Sequence, residues 1–340
     1  MSEMMRAALW VGPEQIEVKE IERPQPGPGQ ALIKVAYGGI CGTDMMIYLG
    51  VHPRSKPPLV MSHEFSGTVV EADGDKFAPG TPVAINPLIS CGKCWACTHG
   101  QPHVCEKLGL VGIDADGGFA EYVAVPQSML HVVPASVPLV EAALVEPLAV
   151  AVHAVRVSDL KVGDTTVVLG AGPVGILAAQ VARMAGARVI VSEQSARRLS
   201  IARQLGFETV DVKEESVVDR VMAVTNGAGV PVVFEMAGVQ PTLDDATRAV
   251  RIGGQILQIG IPKKMPTVDL TNIIFKEVRR TPTRVYRDED VEIAVQLAAS
   301  DQIDLVKPVT HILPLADLGK GMEIAHAAQD ACKILIAPSV

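Results

Sequence analysis

The sequence has few aromatic residues, no long apolar run and no surplus of positive charge. Aromatic residues make up only 4% of the 340 residues, so the core implied by the 48% hydrophobic content must be largely aliphatic. A net charge of −8 disfavours a nucleic-acid-binding surface, for which a basic stripe is expected. No apolar run reaches the roughly 18 residues of a membrane span, and the N-terminal stretch MSEMMRAALW lacks the apolar segment of a secretory signal. We therefore expect a cytoplasmic protein with no nucleic-acid or membrane partner.

The length suggests two domains of different character. Residues 1 to about 145 are rich in glycine, proline and short β-type segments, whereas residues 141–155 predict a helix, after which strands and helices alternate. That alternation predicts a doubly wound parallel α/β sheet. From about residue 285, one helix (291–298) and one final strand (333–337) are expected. The early strands are predicted at 31–37, 67–70, 82–85 and 120–125. The alternating elements are predicted as strands at 165–169, 188–191, 209–212, 230–235 and 255–260, and as helices at 174–184, 196–205, 215–225 and 242–250.

A glycine-rich motif lies between the predicted strand TTVVL and the predicted helix VGILAAQVARM. The pattern G-x-G-x-x-G is weak alone, but this position between strand and helix is the one that a dinucleotide-binding loop requires. Glycines allow a tight turn and close approach of pyrophosphate to backbone N–H groups at a helix N-terminus. The predicted cofactor-binding residues here are Gly170, Gly172, Pro173, Val174 and Gly175.

An acidic residue ends the next predicted strand, 23 positions after Gly170. A carboxylate at Glu193 would accept hydrogen bonds from the ribose hydroxyls and repel a 2′-phosphate, which favours NAD over NADP. Arg198, with Arg197, follows closely and could offset that repulsion. The alternative is that Glu193 is an ordinary surface residue after a strand.

Four of the six cysteines lie in one short run, CGKCWACTHGQPHVC. The spacing C-x2-C-x2-C-x7-C suits a tetrahedral zinc ion held by four thiolates, which leaves no position for substrate and is therefore structural. Disulfides are disfavoured without a secretory signal, and an iron–sulfur cluster remains an alternative. The predicted ligands are Cys91, Cys94, Cys97 and Cys105.

The chain resembles the zinc-dependent medium-chain dehydrogenase family, within it the branch of polyol (sorbitol), butanediol and threonine dehydrogenases. The resemblance covers nearly the whole chain and implies a GroES-like, β-rich catalytic domain formed by residues 1–148 and 286–340. A Rossmann NAD-binding domain would be inserted at 149–285, and a structural zinc lobe would occupy about 88–108. The resemblance rests on ICGTD, HEFSG, NPLISCGKCWACTHGQPHVC, GGFAEYV, VEPLAVAVHAV and VLGAGPVG, in that order.

The resemblance also implies a second, catalytic zinc. Cys41 and His63 would be its ligands, while Glu64 would be a ligand or would exchange with bound water. Glu146 would coordinate the ion or hold its water, and both carboxylates are therefore counted with the catalytic residues. A single thiolate, an imidazole and carboxylates leave the open position that a catalytic zinc needs.

Two further residues take roles from the resemblance. Thr43 matches a hydroxyl residue beside the substrate oxygen that relays the alcohol proton, although a threonine there could instead cap its own backbone. Asp44 matches a residue that accepts the N–H of the histidine ligand and so fixes its tautomer.

Departures from the family pattern lie near the expected substrate side. Ser62 stands where the family usually has glycine, Met46 where many relatives have histidine, and Tyr286-Arg287 where polyol members often have Arg-Tyr. The exact substrate is therefore the least determined feature.

The resemblance implies an NAD-dependent enzyme with two zinc ions per subunit that oxidises a secondary alcohol of a polyol, sugar alcohol or vicinal diol to a ketone. Relatives form dimers or tetramers, so we expect a homo-oligomer, with a tetramer favoured. An L-threonine-type hydroxy amino acid dehydrogenase is the next choice. A zinc-poor reductase of the same superfamily and a non-enzymatic dinucleotide sensor are the rivals, and both would be expected to lack catalytic ligands that this chain has.

Overall fold

A computed structural model describes residues 3–328 and 330–339. Their contacts divide the chain into two compact units. The first comprises Met1–Glu146, Arg287–Asp301 and Val309–Val340, and the second comprises Pro147–Tyr286 and Gln302–Pro308. Both ends of the chain thus contribute to the first unit. No helix in the described ranges combines the length and the apolar character that crossing a membrane requires.

The regular elements of the described residues are given in chain order. The strands are β1 (Met4–Gly12), β2 (Gln15–Glu22), β3 (Gln30–Gly39), β4 (Leu59–Val60), β5 (Glu64–Ala72), β6 (Pro82–Ile85), β7 (Leu88–Ile89), β8 (Gly109–Leu110), β9 (Tyr122–Pro126), β10 (Leu130–Val132), β11 (Thr165–Leu169), β12 (Arg188–Glu193), β13 (Glu208–Asp211), β14 (Val230–Glu235), β15 (Val250–Gln258), β16 (Arg279–Pro282), β17 (Val309–Pro314) and β18 (Lys333–Ala337). The α-helices are α1 (Gly42–Tyr48), α2 (Trp95–Thr98), α3 (Leu139–Ala142), α4 (Val145–Arg156), α5 (Pro173–Met184), α6 (Ala196–Gln204), α7 (Val217–Val224), α8 (Gln240–Ala249), α9 (Leu270–Phe275), α10 (Asp288–Ala298) and α11 (Leu318–Ala327).

The first unit is built on a mainly antiparallel sheet in the order β10-β6-β5-β3-β18-β17, with β9 paired to β3. Alternate apolar side chains of these strands, such as Ile33, Phe65 and Val83, form a buried cluster on one face, as the period of two in a strand dictates. The last residue of β3, Gly39, lies opposite Glu64 on β5 and Leu335 on β18. Three strands from distant parts of the chain therefore meet at Gly39, the end of β3.

The second unit contains a parallel sheet in the order β13-β12-β11-β14-β15-β16. This is the order 3-2-1-4-5-6 of a dinucleotide-binding Rossmann sheet. Its central strand β11 has the sequence TTVVL, whose last four residues are buried, because helices cover both faces of such a sheet. The predicted doubly wound fold is confirmed.

The predicted early strands and the alternating elements are all found, with shifts of a few residues at their ends. The single helix predicted over 141–155 is instead two helices, α3 and α4. Pro147 lies in the first turn of α4, where the missing N–H of proline is tolerated, so a new helix starts just before it.

The prediction of one helix and one strand after residue 285 was incomplete. Strand β17 and helix α11 are also present, as are the unpredicted elements β1, β2 and α1 in the N-terminal part. Helix α11 carries two glycines, which disfavour a helix in isolation. One of them, Gly321, packs closely on Ile40 and Leu313, so tertiary packing outweighs the local preference.

Candidate functional site

Cys41 lies at the junction of β3 and α1 in the first unit. It is the residue before the first turn of α1, and its backbone N–H donates to Asp44 Oδ2 at 2.8 Å. Such a bond from the helix start to a carboxylate three residues later fixes the first turn. Asp44 is fully buried, so this local arrangement holds the Cys41 thiol in a defined position.

His63 and Glu64 lie at the start of β5, beside the end of β3. Both side chains are buried, at 5% and 2% exposed. One ligand atom each of Cys41, His63 and Glu64 lies within 4.8 Å of the other two. Sulfur, imidazole nitrogen and carboxylate oxygen are the donors that Zn²⁺ takes in catalytic sites. The structure therefore brings together three of the predicted ligands.

Lys333, at the start of β18, is a member of this site that sequence reasoning missed. Its side chain is 1% exposed, makes an ion pair with Glu64 and donates from Nζ to the Ile40 carbonyl at 3.1 Å. Burial alone would lower the pKa of Lys333, but Glu64 and Cys41 raise it, so the ammonium remains charged. A lone lysine in the apolar run KILIA was the available signal, because an unpaired charge is almost never buried.

The electrostatics of the site favour a bound cation. Burial alone would lower the pKa of His63, but Cys41, Asp44 and Glu146 outweigh it and raise that pKa well above its usual value. The acidic groups around His63 thus favour a positive charge at the imidazole. A divalent ion would supply positive charge there, and zinc would compete with the proton for the imidazole. The donor set and its charge both fit Zn²⁺.

Asp44 lies beside His63 but does not make the expected hydrogen bond. Its Oδ1 is 3.9 Å from His63 Nδ1, longer than a hydrogen bond, and within the described residues that buried nitrogen has no hydrogen-bond partner. Asp44 instead accepts backbone N–H groups from Cys41 and, at 3.3 Å, from Ser62. Burial raises the pKa of Asp44, against the lowering effect of His63.

The remaining predicted residues of this site are less closely grouped. Glu146 is buried near the start of α4, and its charge raises the pKa of both His63 and Lys333. It is nevertheless outside the 4.8 Å group of ligand atoms found among the described residues. Thr43 lies in the first turn of α1 and is partly exposed.

The four cysteines of the short run converge as predicted. Cys94 Sγ lies 3.5 Å from Cys97 Sγ and 3.8 Å from Cys105 Sγ, and all four thiols are free. A zinc ion with four bonds of about 2.3 Å to sulfur sets the sulfurs about 3.8 Å apart. These separations exceed a disulfide bond of about 2.05 Å and enclose the space of one ion. They fit a structural zinc.

Backbone N–H groups stabilise the thiolates of Cys91 and Cys94, whereas burial and the neighbouring thiols raise the pKa of Cys97 to about 12. The N–H of Cys91 and that of Lys107 both donate to Cys105 Sγ at 3.3 Å. Hydrogen bonds from the N–H of Lys93 and of Cys94 lower the pKa of Cys91 to about 6. The segment thus brings its four sulfurs together, with the thiolate favoured at Cys91 and Cys94, and a bound zinc ion would favour the loss of the other protons.

In the second unit, the glycine-rich loop has the geometry of a phosphate-binding turn. Gly170 has φ +107°, which favours glycine, and a Cβ at Gly175 would overlap the Gly170 carbonyl. Gly172 precedes the 12-residue helix α5, and a Cβ there would meet no described atom within 4 Å. Pro173 and Val174 begin the first turn of α5. The tight turn, the open approach and the close packing are the three uses of glycine in a dinucleotide-binding motif.

Glu193 ends β12 beside this loop and is firmly held. Its Oε2 accepts the N–H of Ala171 at 2.9 Å, and its Oε1 accepts those of Gln194 and Ser195 at 2.8 and 3.1 Å. Arg198 Nη1 lies 3.9 Å from Glu193 Oε2. The carboxylate is therefore a fixed acceptor at the edge of the glycine loop, with a guanidinium that partly offsets its charge.

Comparison with known proteins decides the family. Residues 27–135 match the alcohol dehydrogenase GroES-like domain, and residues 173–300 match the zinc-binding dehydrogenase family. A 2-dehydro-3-deoxy-L-galactonate 5-dehydrogenase from Pseudoalteromonas atlantica is 38% identical over 335 residues, which cover 98% of each chain. The chain belongs to the zinc-dependent medium-chain dehydrogenase family.

Two further similar proteins support this family assignment. An L-threonine 3-dehydrogenase from Pyrococcus horikoshii is 40% identical over 285 residues, 81% of this medium-chain dehydrogenase and 82% of that protein. A candidate zinc-binding dehydrogenase from Sinorhizobium meliloti 1021, solved with NADP bound, has a TM-score of 0.92 at 34% identity and covers 99% of this chain and 100% of its own. The predicted family, the GroES-like and Rossmann folds, the zinc and NAD(P) cofactors and the NAD(P)-dependent dehydrogenase class are confirmed.

Proposed function

We propose that this medium-chain dehydrogenase oxidises a secondary alcohol of a polyol, sugar acid or vicinal diol to a ketone, with hydride transfer to NAD. The observation that carries the proposal is the buried group of Cys41, His63 and Glu64. It offers an ion three ligands instead of the four of the cysteine site, so a coordination position stays open for the alcohol oxygen. Two relatives are named for oxidation at carbon 5 of a sugar acid and at carbon 3 of threonine.

The protein residues would divide the work at the metal. When bound, zinc supplies the Lewis-acid chemistry that lowers the pKa of an alcohol hydroxyl. We assign Cys41 and His63 as ligands, with Glu64 and Glu146 as the carboxylates that complete the shell or hold its water. Thr43, by the family resemblance, receives the alcohol proton. The four cysteines would hold the second, structural zinc.

A substrate panel tests the proposal most directly. NAD reduction is measured with 2-dehydro-3-deoxy-L-galactonate, sugar alcohols, (2R,3R)-butanediol and L-threonine, and zinc is measured on the same sample. The expected result is two zinc ions per chain and turnover with at least one polyhydroxylated substrate. A single zinc would instead favour a zinc-poor reductase, and NAD binding without any turnover would favour a sensor.

L-Threonine is the second candidate substrate. The observation in its favour is the 40% identity to an L-threonine 3-dehydrogenase. Threonine and the diols share a secondary hydroxyl beside a second polar group, so the same metal site would serve both. Preference for L-threonine over every polyol in the panel would select this alternative.

We propose that NAD is the preferred cofactor. Glu193 is fixed by three backbone N–H groups at the edge of the glycine loop, where it would repel a 2′-phosphate. Replacing it with serine should raise kcat/KM with NADP relative to NAD by about tenfold, because one unfavourable charge contact of roughly 1.4 kcal/mol is removed. The exposed neighbour Gln194, changed to alanine, is the control. An unchanged ratio in the Glu193→Ser enzyme would remove Glu193 from cofactor choice.

We propose a homo-oligomer, in which two copies pair through β16. Within the described residues β16 pairs only with β15, so its other edge is open to a second strand. The preceding segment exposes several large apolar side chains, each at least 62% exposed, and such patches mark association sites. These side chains are Ile261, Met265, Leu270, Ile274 and Phe275.

Light scattering during gel filtration tests this surface. The wild type should elute as a dimer or tetramer, and the Phe275→Asp protein should have a smaller mass, because a charge would be placed in the interface. An unchanged mass would exclude this surface.

We also propose a cytoplasmic location. All six cysteines are free thiols, and four of them form the cluster whose geometry fits zinc. Reducing compartments keep thiols in the form that zinc requires.

A further inference from the structure

Ser62 directly precedes His63 and has a backbone conformation that favours glycine. Its φ is +77° and the residue is completely buried. A Cβ is sterically disfavoured in this region, and the resembled family usually has glycine at the position. This chain places a hydroxyl there in spite of the strain, so the contacts of that hydroxyl are informative.

The surroundings of Ser62 impose the strained conformation. Its carbonyl accepts the N–H of Gly118 at 2.9 Å, and a Cβ on Gly112 or Gly117 would overlap that carbonyl. On the other side, its N–H donates to Asp44 Oδ1 at 3.3 Å. The peptide is therefore fixed from both sides, which is the condition under which strain persists at functional sites.

The hydroxyl joins the two segments that carry the metal ligands. Ser62 Oγ donates to the Gly39 carbonyl at 3.1 Å, with a longer contact of 3.4 Å to the carbonyl of Glu64. Gly39 is the last residue of β3, two positions before Cys41, and lies opposite Glu64. The bond therefore extends the pairing of β3 and β5 beyond the point where their backbone ladder ends.

We propose that Ser62 is a positioning residue for the catalytic metal. Its hydroxyl holds the Cys41 segment against the His63 segment, so that the separation of thiol and imidazole is set before the ion binds. The inference rests on the proposed zinc site of Cys41 and His63. Groups behind the ligands typically change metal affinity by about 10- to 100-fold when removed.

Two substitutions separate positioning from strain. Ser62→Ala keeps the Cβ in the strained conformation and loses the hydroxyl, whereas Ser62→Gly loses both. Zinc-loaded full-length proteins are mixed with a chromogenic chelator, and the release rate is followed along with the thermal midpoint. We expect both variants to release zinc from the catalytic site about 10- to 100-fold faster than wild type. Ser62→Gly should have the higher midpoint of the two, because glycine relieves the strain.

The absorption spectrum of Co²⁺ placed in the catalytic site supplies a readout that a purely structural role would not change. Its d–d bands depend on ligand geometry and should shift in both variants. Ser66→Ala is the matched control, because it removes a buried hydroxyl of the adjoining strand β5, which donates to the Leu139 carbonyl at 2.6 Å. The control should lower the thermal midpoint and leave zinc release and the Co²⁺ spectrum unchanged.

The outcomes distinguish this inference from the proposed function. Two zinc ions in the wild type, with wild-type release and an unshifted Co²⁺ spectrum in Ser62→Gly, would overturn the role of Ser62 alone. One zinc ion in the wild type would overturn the catalytic site itself, and the role of Ser62 with it. Fast release in Ser62→Ala and Ser62→Gly, together with slow release in Ser66→Ala, would establish it.

Discussion

The two proposed metal sites of the first unit are assembled from the chain in different ways. The four-cysteine site comes from one run between Cys91 and Cys105 and is folded by hydrogen bonds within that run. The other site takes Cys41 from the residue before α1, His63 and Glu64 from the residue before β5 and the start of that strand, and Lys333 from β18. One site is local, and the other exists only when distant strands have paired.

The two sites also differ in how the negative charge of their ligands is balanced. The four sulfurs of the local site are served by backbone N–H groups, so the ion itself must balance the thiolates. In the assembled site a buried lysine already balances the Glu64 carboxylate, so Glu64 would have both an ammonium and a bound ion as partners. If each site holds zinc as proposed, four thiolates would saturate the local ion, whereas Glu64 in the assembled site would have two alternative partners.

The largest expected effect comes from breaking the local site. Cys105→Ser removes one of four thiolates, and structural zinc sites contribute on the order of 10 kcal/mol of binding free energy to the fold they hold. The protein should keep one zinc ion and lose hydrogen-exchange protection over residues 88–110. Thr98→Ala, which removes an exposed hydroxyl from the same segment, should keep both ions. Protection at the wild-type level in Cys105→Ser would show that the metal does not hold this lobe.

Breaking the assembled site should instead lower activity and leave the fold intact. Cys41→Ser should lower turnover about a thousandfold or more, because several kcal/mol of transition-state stabilisation by the metal are lost. The four-cysteine site should keep its zinc, which serves as an internal check that the protein is folded. Turnover is measured as NAD reduction with the best substrate of the panel. Full turnover in Cys41→Ser would refute the metal mechanism.

The same contrast explains what the sequence could predict of the sites. The spacing of the four cysteines specifies their convergence, because ligands three to eight residues apart on one loop have few ways to meet. Cys41 and His63 are isolated residues, and only the family resemblance placed them together. Lys333 is 269 residues from Glu64, so nothing in local spacing joins them.

The elements of the fold also divide into those that a local pattern predicts and those that depend on distant contacts. The strand TTVVL and the helix after Gly172 were predictable, because a buried parallel strand and a glycine turn each have a local pattern. Helix α11 was not, since its glycines disfavour helix and only packing against Ile40 and Leu313 compensates. Asp44 was placed correctly beside His63, but a 3.9 Å separation cannot be obtained from a motif.

The smallest of these effects concerns the lysine that distinguishes the assembled site. Lys333→Met leaves the Glu64 carboxylate buried without its partner, and removing one member of a buried ion pair costs about 3 kcal/mol or more. The thermal midpoint of the metal-free protein should therefore fall by several degrees. Adding Glu64→Gln removes the unpaired charge and should restore most of the loss, while Lys333→Arg should change the midpoint little. A Lys333→Met protein as stable as wild type would mean that Glu64 finds another partner, and the contrast in charge between the two sites would no longer hold.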